Sequence, residues 1–338
     1  MDHLAQGITT CFEELKALEI KNNVEHVFEA KFWQQNSDFS LARDVLIAAA
    51  GSINSQVTKF SLVMAKAKTP TEKEAHSICE AIYEPCQQLL AALKVAIFAG
   101  AGHALTKEMI SGCLRIVSSM HELTQLVATK EFKRVPEYTG RIWDACNLLQ
   151  NLSKSNLIAT KRVMLQSVAI LNDTISELDG VLTDQATAGE EAERDVEVED
   201  EYAFDMDESM SPHEARQFSL VLDVLKMVQA ITKKGVLAVN ATETNDGQDG
   251  FLPWSTRLPA LYAAINDVVV DMGADVSPPF EPEVVLEHLA ALEDAGRACL
   301  NHLRTQPGAG DDAGLVKGDA AFSAKLLEAR TCLQMEED

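Results

Sequence analysis

Apolar residues recur every three or four positions through most of this chain, the rhythm of an α-helix that turns one face to a core. From Gln6 to about Glu29, Ile8, Cys11, Phe12, Leu15 and Leu18 predict a first amphipathic helix. Ser37-Asp38 offers an N-cap to a second, whose seam runs Phe39, Ala42, Leu46, Ala49, Ile53, Val57, Phe60, Met64. Thr69-Pro70 stops and restarts the chain, and Ala75, Ile78, Ile82, Cys86, Leu89, Leu93 and Ile97 form a third stripe. Pro85 lies inside it and removes a backbone hydrogen bond at a cost of about 3 kcal/mol, so a kink or break is expected near Tyr83.

A fourth helix follows Gly100-Ala101-Gly102, with Ile110, Cys113, Val117, Met120, Leu123 and Val127 on one face. A fifth opens at Val135-Pro136 and runs through Ile142, Trp143, Cys146 and Leu149. After the polar stretch Asn151 to Asn156, Leu157, Met164, Val168, Leu171, Ile175, Leu178 and Leu182 make another long seam. Ser211-Pro212 then starts a helix with Ser at N-cap and Pro at N1, carrying Phe218, Val221, Leu225, Val228 and Ile231. Helices over Trp254 to Met272, over Val285 to Leu303 and around Phe322 to Leu333 complete the pattern. The expected fold class is all-α, a long antiparallel helical bundle followed by a smaller helical unit.

Between the two lies the acidic run Glu190 to Glu208. Like charges at that density resist burial and repel one another, which predicts an extended, solvated linker. The expected organisation is a bundle over 1–187, an acidic linker over 188–210 and a helical unit over 211–338. A formal charge of -23 argues against nonspecific binding to nucleic acid or anionic membrane, where affinity comes from Lys and Arg, and favours a basic partner face. The seven cysteines are scattered over apolar helical positions and read as reduced core thiols. Without a signal-like start or an apolar run approaching ~20 residues, the chain is expected to be soluble and intracellular.

Few residues suggest chemistry. His76, Cys79 and Cys86 share a helical face and match a set of metal ligands only loosely, since no short Cys-x-x-Cys pair or second cluster accompanies them. An ordinary thiol-containing core is the better account. Gly100-Ala101-Gly102-His103 has neither a preceding strand nor a following Gly-Lys-Ser/Thr and reads as a helix-to-helix loop, not a phosphate cradle. Glu13-Glu14 and the acidic run lack the order of a calcium loop, and no Ser or Cys lies in a nucleophile signature. The expectation is a chain that is not an enzyme and holds no cofactor or metal. Ser211-Pro212, Thr69-Pro70 and Ser277-Pro278 are minimal proline-directed phosphorylation sites, with Ser209 and Ser211 at the edge of the acidic run. The long seams are expected to build the protein's own core in preference to pairing with a foreign helix.

Four strings occur in a recognisable order: Lys31-Phe32-Trp33-Gln34-Gln35-Asn36, Arg141-Ile142-Trp143-Asp144-Ala145-Cys146, the Leu157 to Leu182 helix leading to an acidic break, and Asp271 to Pro279. In this the chain resembles the cyclin-D-binding protein family, also described as Grap-and-cyclin-D-interacting proteins. The resemblance implies a non-enzymatic negative regulator of cell-cycle progression that binds D-type cyclins, lowers retinoblastoma-protein phosphorylation, and occurs in nucleus and cytoplasm. It also implies a helix-loop-helix-like protein without a basic DNA-binding region. No contact residue carries over, because no short motif defines the cyclin contact. A cytoskeletal adaptor of the vinculin or talin kind, built from similar bundles, is the alternative.

Overall fold

The computed structural model describes residues 2–24, 38–64, 71–192, 210–241, 251–276, 281–308 and 312–335, and among them every regular element is helical. In chain order these are α1 (Asp2–Val24), α2 (Asp38–Met64), α3 (Glu72–Phe98), α4 (His103–Ala128), a single 3-10 turn (Phe132–Arg134), α5 (Val135–Gln150), α6 (Asn156–Ala192), α7 (Pro212–Ala241), α8 (Phe251–Asp275), α9 (Pro282–Arg304) and α10 (Ala313–Leu333). The chain divides into two compact units, 1–159 and 160–338. That division falls inside α6, earlier than the acidic run at which the sequence pattern placed it. The seam grouped with the first bundle lies from Thr160 onward in the second unit. Residues 193–209 of the acidic run lie outside the described residues.

In the first unit α1 lies against α3 and α4, α2 against α3 and α5, and α4 against α5. The predicted stripes are what these contacts bury: Leu46, Ile53, Val57, Ile82, Cys86, Leu89, Leu93, Cys113, Val117, Ile142 and Cys146 are all fully enclosed. Burying such a side chain stabilises the fold by roughly 1.5–3 kcal/mol, which is why a three-four spacing of aliphatics is enough to place each helix. Of the kink or break expected near Tyr83, the break does not occur. Helix α3 is continuous from Glu72 to Phe98 with Pro85 inside it, and the buried Ile82, Cys86 and Leu89 on either side hold the helix in register against the lost hydrogen bond. Its start is a capping box: the Glu74 N–H donates to Thr71 Oγ1 at 3.3 Å and the Thr71 N–H to Glu74 Oε2 at 2.9 Å.

Polar groups fasten the far end of this unit. Arg43 of α2 donates from Nη2 to the Leu152 carbonyl at 3.1 Å and from Nε to that of Ser153 at 3.3 Å, closing the C-terminus of α5. The Ser153 N–H donates to Glu108 Oε1 at 3.0 Å. Asn156 accepts from the Gly102 N–H and donates to the Gly100 carbonyl, so one buried side chain serves both sides of the α3 to α4 turn.

In the second unit α7 packs on α8, α9 and α10, and α9 on α8 and α10. Asn172 and Asp179 of α6 bond Gln229 at 2.6 Å and Lys226 at 3.1 Å on α7. A charged network joins α9 to α10. Glu293 meets Arg297 at 2.7 Å and Arg330 at 2.6 Å, while Asp319 meets Arg304 at 2.8 Å and Arg297 at 3.3 Å. Burial works against the Glu293 charge, but the hydrogen bonds from Arg297 and Arg330 outweigh it and hold the carboxyl below its ordinary range. Trp254 and His302 clasp α8 to α9: the indole N–H donates to the His302 carbonyl at 2.9 Å, His302 Nε2 meets the Trp254 carbonyl at 2.8 Å, and the rings stack at 5.7 Å. The charge is unevenly shared. Residues 1–159 carry 17 acidic and 16 basic side chains and residues 160–338 carry 35 and 13, so the acidity of the chain belongs to its second part.

Gly235 of α7 leaves no room for a side chain. A Cβ there would collide with the Tyr262 hydroxyl, which is fully buried and donates to the Thr232 carbonyl, so it can retreat only by losing that bond. Gly318 of α10 has nothing within 4 Å of its Cβ direction. Gly235→Ala is therefore expected to destabilise the fold by about 1–3 kcal/mol in urea denaturation. Gly318→Ala should be neutral or stabilising by up to about 1 kcal/mol in the same assay.

Candidate functional site

The residues singled out for metal binding do not come together. His76 turns to solvent and pairs with Glu80 at 3.3 Å, whereas Cys79 and Cys86 are buried. Among the described residues no group of three or more His, Cys, Asp or Glu side chains is placed to hold a metal ion. All seven cysteines are buried and outside disulfides. Cys86 lies within electrostatic reach of Cys11, Cys146 and Cys113, so thiols from α1, α3, α4 and α5 meet in one core. Burial pushes Cys113, Cys146 and Cys299 up to about 12 and Cys86 further in the same direction. Such thiols stay protonated and pack as small hydrophobes.

Gly100 to His103 forms the α3 to α4 connection, with Gly100 at φ 105 and Gly102 as N-cap. The half-buried His103 ring meets the Asn22 carbonyl, and burial followed by the nearby Lys107 lowers its pKa, so the ring is held neutral. Of the paired acids, Glu14 forms an ion pair with Lys94 and Glu13 is exposed. Ser211 caps α7: its Oγ accepts from the Glu214 N–H at 3.1 Å and its own N–H donates to Glu214 Oε2 at 2.8 Å. Thr69 and Ser277 lie outside the described residues.

One surface feature departs from the sequence pattern. Trp143, expected in the buried stripe of α5, is 39 % exposed, and its indole N–H donates to Thr58 Oγ1 of α2 at 3.0 Å. The signal was present in the spacing. Ile142, Cys146 and Leu149 already complete a three-four stripe, which leaves Trp143 at its margin. On the other flank of α5, Arg134 and Arg141 lie over the Tyr138 ring at 5.2 and 4.7 Å, and Arg141 pairs with Glu137 at 2.7 Å and with Glu122 of α4 at 3.4 Å. Helix α5 thus presents Tyr, Trp and Arg side chains held by directed contacts. These are the residue types that anchor protein–protein interfaces, because they offer large contact area for little lost freedom.

The region that carries these residues matches the sequence profile of a family described as Grap2 and cyclin-D-interacting, N-terminal, over residues 45–184. Over this span the chain is similar to that family. Among curated relatives, Cyclin-D1-binding protein 1 homolog of Xenopus laevis is 24 % identical over 231 residues, covering 66 % of this chain and 64 % of the relative. Cyclin-D1-binding protein 1 of Bos taurus is 19 % identical over 323 residues, 90 % of this chain and 86 % of the relative. The match to the Xenopus protein thus spans a little under two thirds of its length. The matched profile begins within α2 and ends within α6, and so takes in both Thr58 and Trp143.

The enclosed thiols give a direct check on the first unit's core. Cys86, Cys113 and Cys146 are expected to resist a thiol-specific reagent in the native protein and to react at once in denaturant. Fast native labelling of these three, located by peptide mapping, would show that the core is not closed as described.

Proposed function

We propose that this chain is a non-catalytic, protein-binding regulator that engages a D-type cyclin and restrains cell-cycle progression, acting in nucleus and cytoplasm. What carries the reading is the family match over 45–184, supported by two relatives whose names give cyclin D1 as the bound protein. The near balance of charge in residues 1–159 fits a partner chosen by shape and apolar contact, and moves the expectation of a basic partner away from this unit. A half-exposed tryptophan fixed by a hydrogen bond supports the same reading, since its position costs little further entropy on binding.

Phosphorylation of Ser211 belongs to this proposal as a regulatory input. A phosphate on its Oγ would stand beside the Glu214 carboxylate that now accepts from the Ser211 N–H. Like-charge repulsion would open the cap and loosen the first turn of α7. Thr69 and Ser277 are proposed on their Ser/Thr-Pro motifs alone.

The test is calorimetric titration of the full chain with a D-type cyclin, repeated after treatment with a proline-directed kinase. Saturable binding at micromolar concentration or tighter is the expected result, with a changed affinity once Ser211 carries phosphate. No heat, together with no complex in size-exclusion chromatography, would remove the cyclin assignment. Unaltered binding with Ser211 fully phosphorylated would remove the regulatory part alone.

A further inference from the structure

Helix α10 is apolar on two opposite sides. Leu315, Phe322, Leu326 and Ala329 are buried against the second unit. At about 100° per residue, Ala313, Val316, Ala320, Ala324, Leu327 and Thr331 fall on the side away from them, within an arc of about 80°. None of the six is charged. Val316 is 60 % and Leu327 68 % exposed, and the other four are exposed as well. A helix with this pattern belongs in an interior, yet one of its apolar sides meets solvent. The charges that border that side are evenly matched. Toward α7 stand Lys317, Lys325 and Lys234 with Glu328, Asp223 and Asp312; Lys325 meets Asp223 at 2.9 Å and Glu328 at 3.1 Å, and Lys234 meets Asp312 at 2.7 Å. Toward α9 stand Arg297, Arg304 and Arg330 with Glu293 and Asp319, joined in the network between the two helices. Although acidic side chains predominate in residues 160–338, this border holds no acidic excess by which a basic partner would be selected.

We infer that α10 pairs with α10 of a second copy of this chain, antiparallel about a two-fold axis level with Phe322. The face is complementary to itself in that arrangement. Val316 meets Leu327 of the second copy, Ala320 meets its Ala324 and Ala313 its Thr331, and each contact occurs twice, as a two-fold interface requires. Lys317 and Glu328 lie on one edge of the helix, on either side of Phe322 and nearly equidistant from it, so each Lys317 faces Glu328 of the other copy. Alanines at the centre let the two backbones approach toward the near end of the usual range of about 8–10 Å between axes. The net acidity of the two copies opposes the pairing, but at physiological salt charges more than about 8 Å apart are largely screened. One helix pair buries less than the roughly 1,200 Å² of a stable interface, so the association is reversible, in the micromolar range of Kd. The inference goes beyond the proposed function and does not rest on it.

The test is sedimentation equilibrium of the full chain at rising concentration in physiological salt, as wild type, Leu327→Glu, Lys317→Glu and the double swap Lys317→Glu with Glu328→Lys. All three positions are exposed, so the helical content and thermal midpoint of each variant should stay close to wild type. A reversible monomer–dimer equilibrium is the expected behaviour of the wild type. Leu327→Glu should weaken it about tenfold or more, because it puts a carboxylate into the apolar seam. Lys317→Glu should weaken it several-fold, since acid then faces acid, and the double swap should restore it. A wild-type chain that remains monomeric to high micromolar concentration overturns the inference. So does a dimer indifferent to Leu327→Glu, which another face must hold. A dimer weakened by Leu327→Glu but unmoved by Lys317→Glu, or not restored by the swap, overturns the antiparallel register.

Discussion

Burial of one aliphatic stripe per helix is the interaction on which the rest of this protein depends. Aromatic side chains are scarce, at 6 % of residues, so the cores are filled by Leu, Ile, Val, Ala, Met and Cys from facing helices. Such side chains interdigitate at native density without seeking hydrogen-bond partners, and each contributes in proportion to the area it removes from water. Polar contacts then fasten helix ends and join neighbouring helices. Arg43 on the α5 terminus, Asn156 on the α3 to α4 turn, and the Glu293 and Asp319 network between α9 and α10 are of this kind. The first two supply partners at helix ends, where the helical ladder itself cannot, and the third joins two helix faces by ion pairs.

The helices were legible because their signal is repeated many times over. Ala42 to Phe60, Ile110 to Val127 and Val285 to Leu303 are buried at the positions the spacing assigns, and Ser211 caps α7 as its Ser-Pro pair indicates. Where the outcome differed, a nonlocal term had prevailed. Pro85 is carried through a continuous helix because its α3 neighbours Ile82, Cys86 and Leu89 are buried against other elements. The seam of α6 gives no indication of which helices will bury it, and its partners lie on α7 and α8, beyond the acidic run that looked like the boundary. A period identifies a buried face and leaves its partner open.

The candidate site was less legible for the same reason. Its central contact is a hydrogen bond between residues far apart in sequence, Trp143 and Thr58, which only the placed helices bring together. Family resemblance, by contrast, was readable in local strings, and the profile match over 45–184 covers the helices that build this face. The buried thiols show the converse. His76, Cys79 and Cys86 look like a cluster in sequence, and the fold separates the histidine from the cysteines because one side of α3 faces solvent and the other the core.

A protein whose stability comes from apolar seams can leave its outer helix faces to recognition, provided they are rigid enough to bind without large ordering costs. On the α2 and α5 faces the Trp143 to Thr58 hydrogen bond fixes the largest exposed side chain in this way. Hydrogen–deuterium exchange of the full chain, alone and saturated with a D-type cyclin, tests this most directly. The account predicts that added protection falls on peptides covering 51–62 and 136–147; protection confined to α7 through α10, with α2 and α5 unchanged, would contradict it.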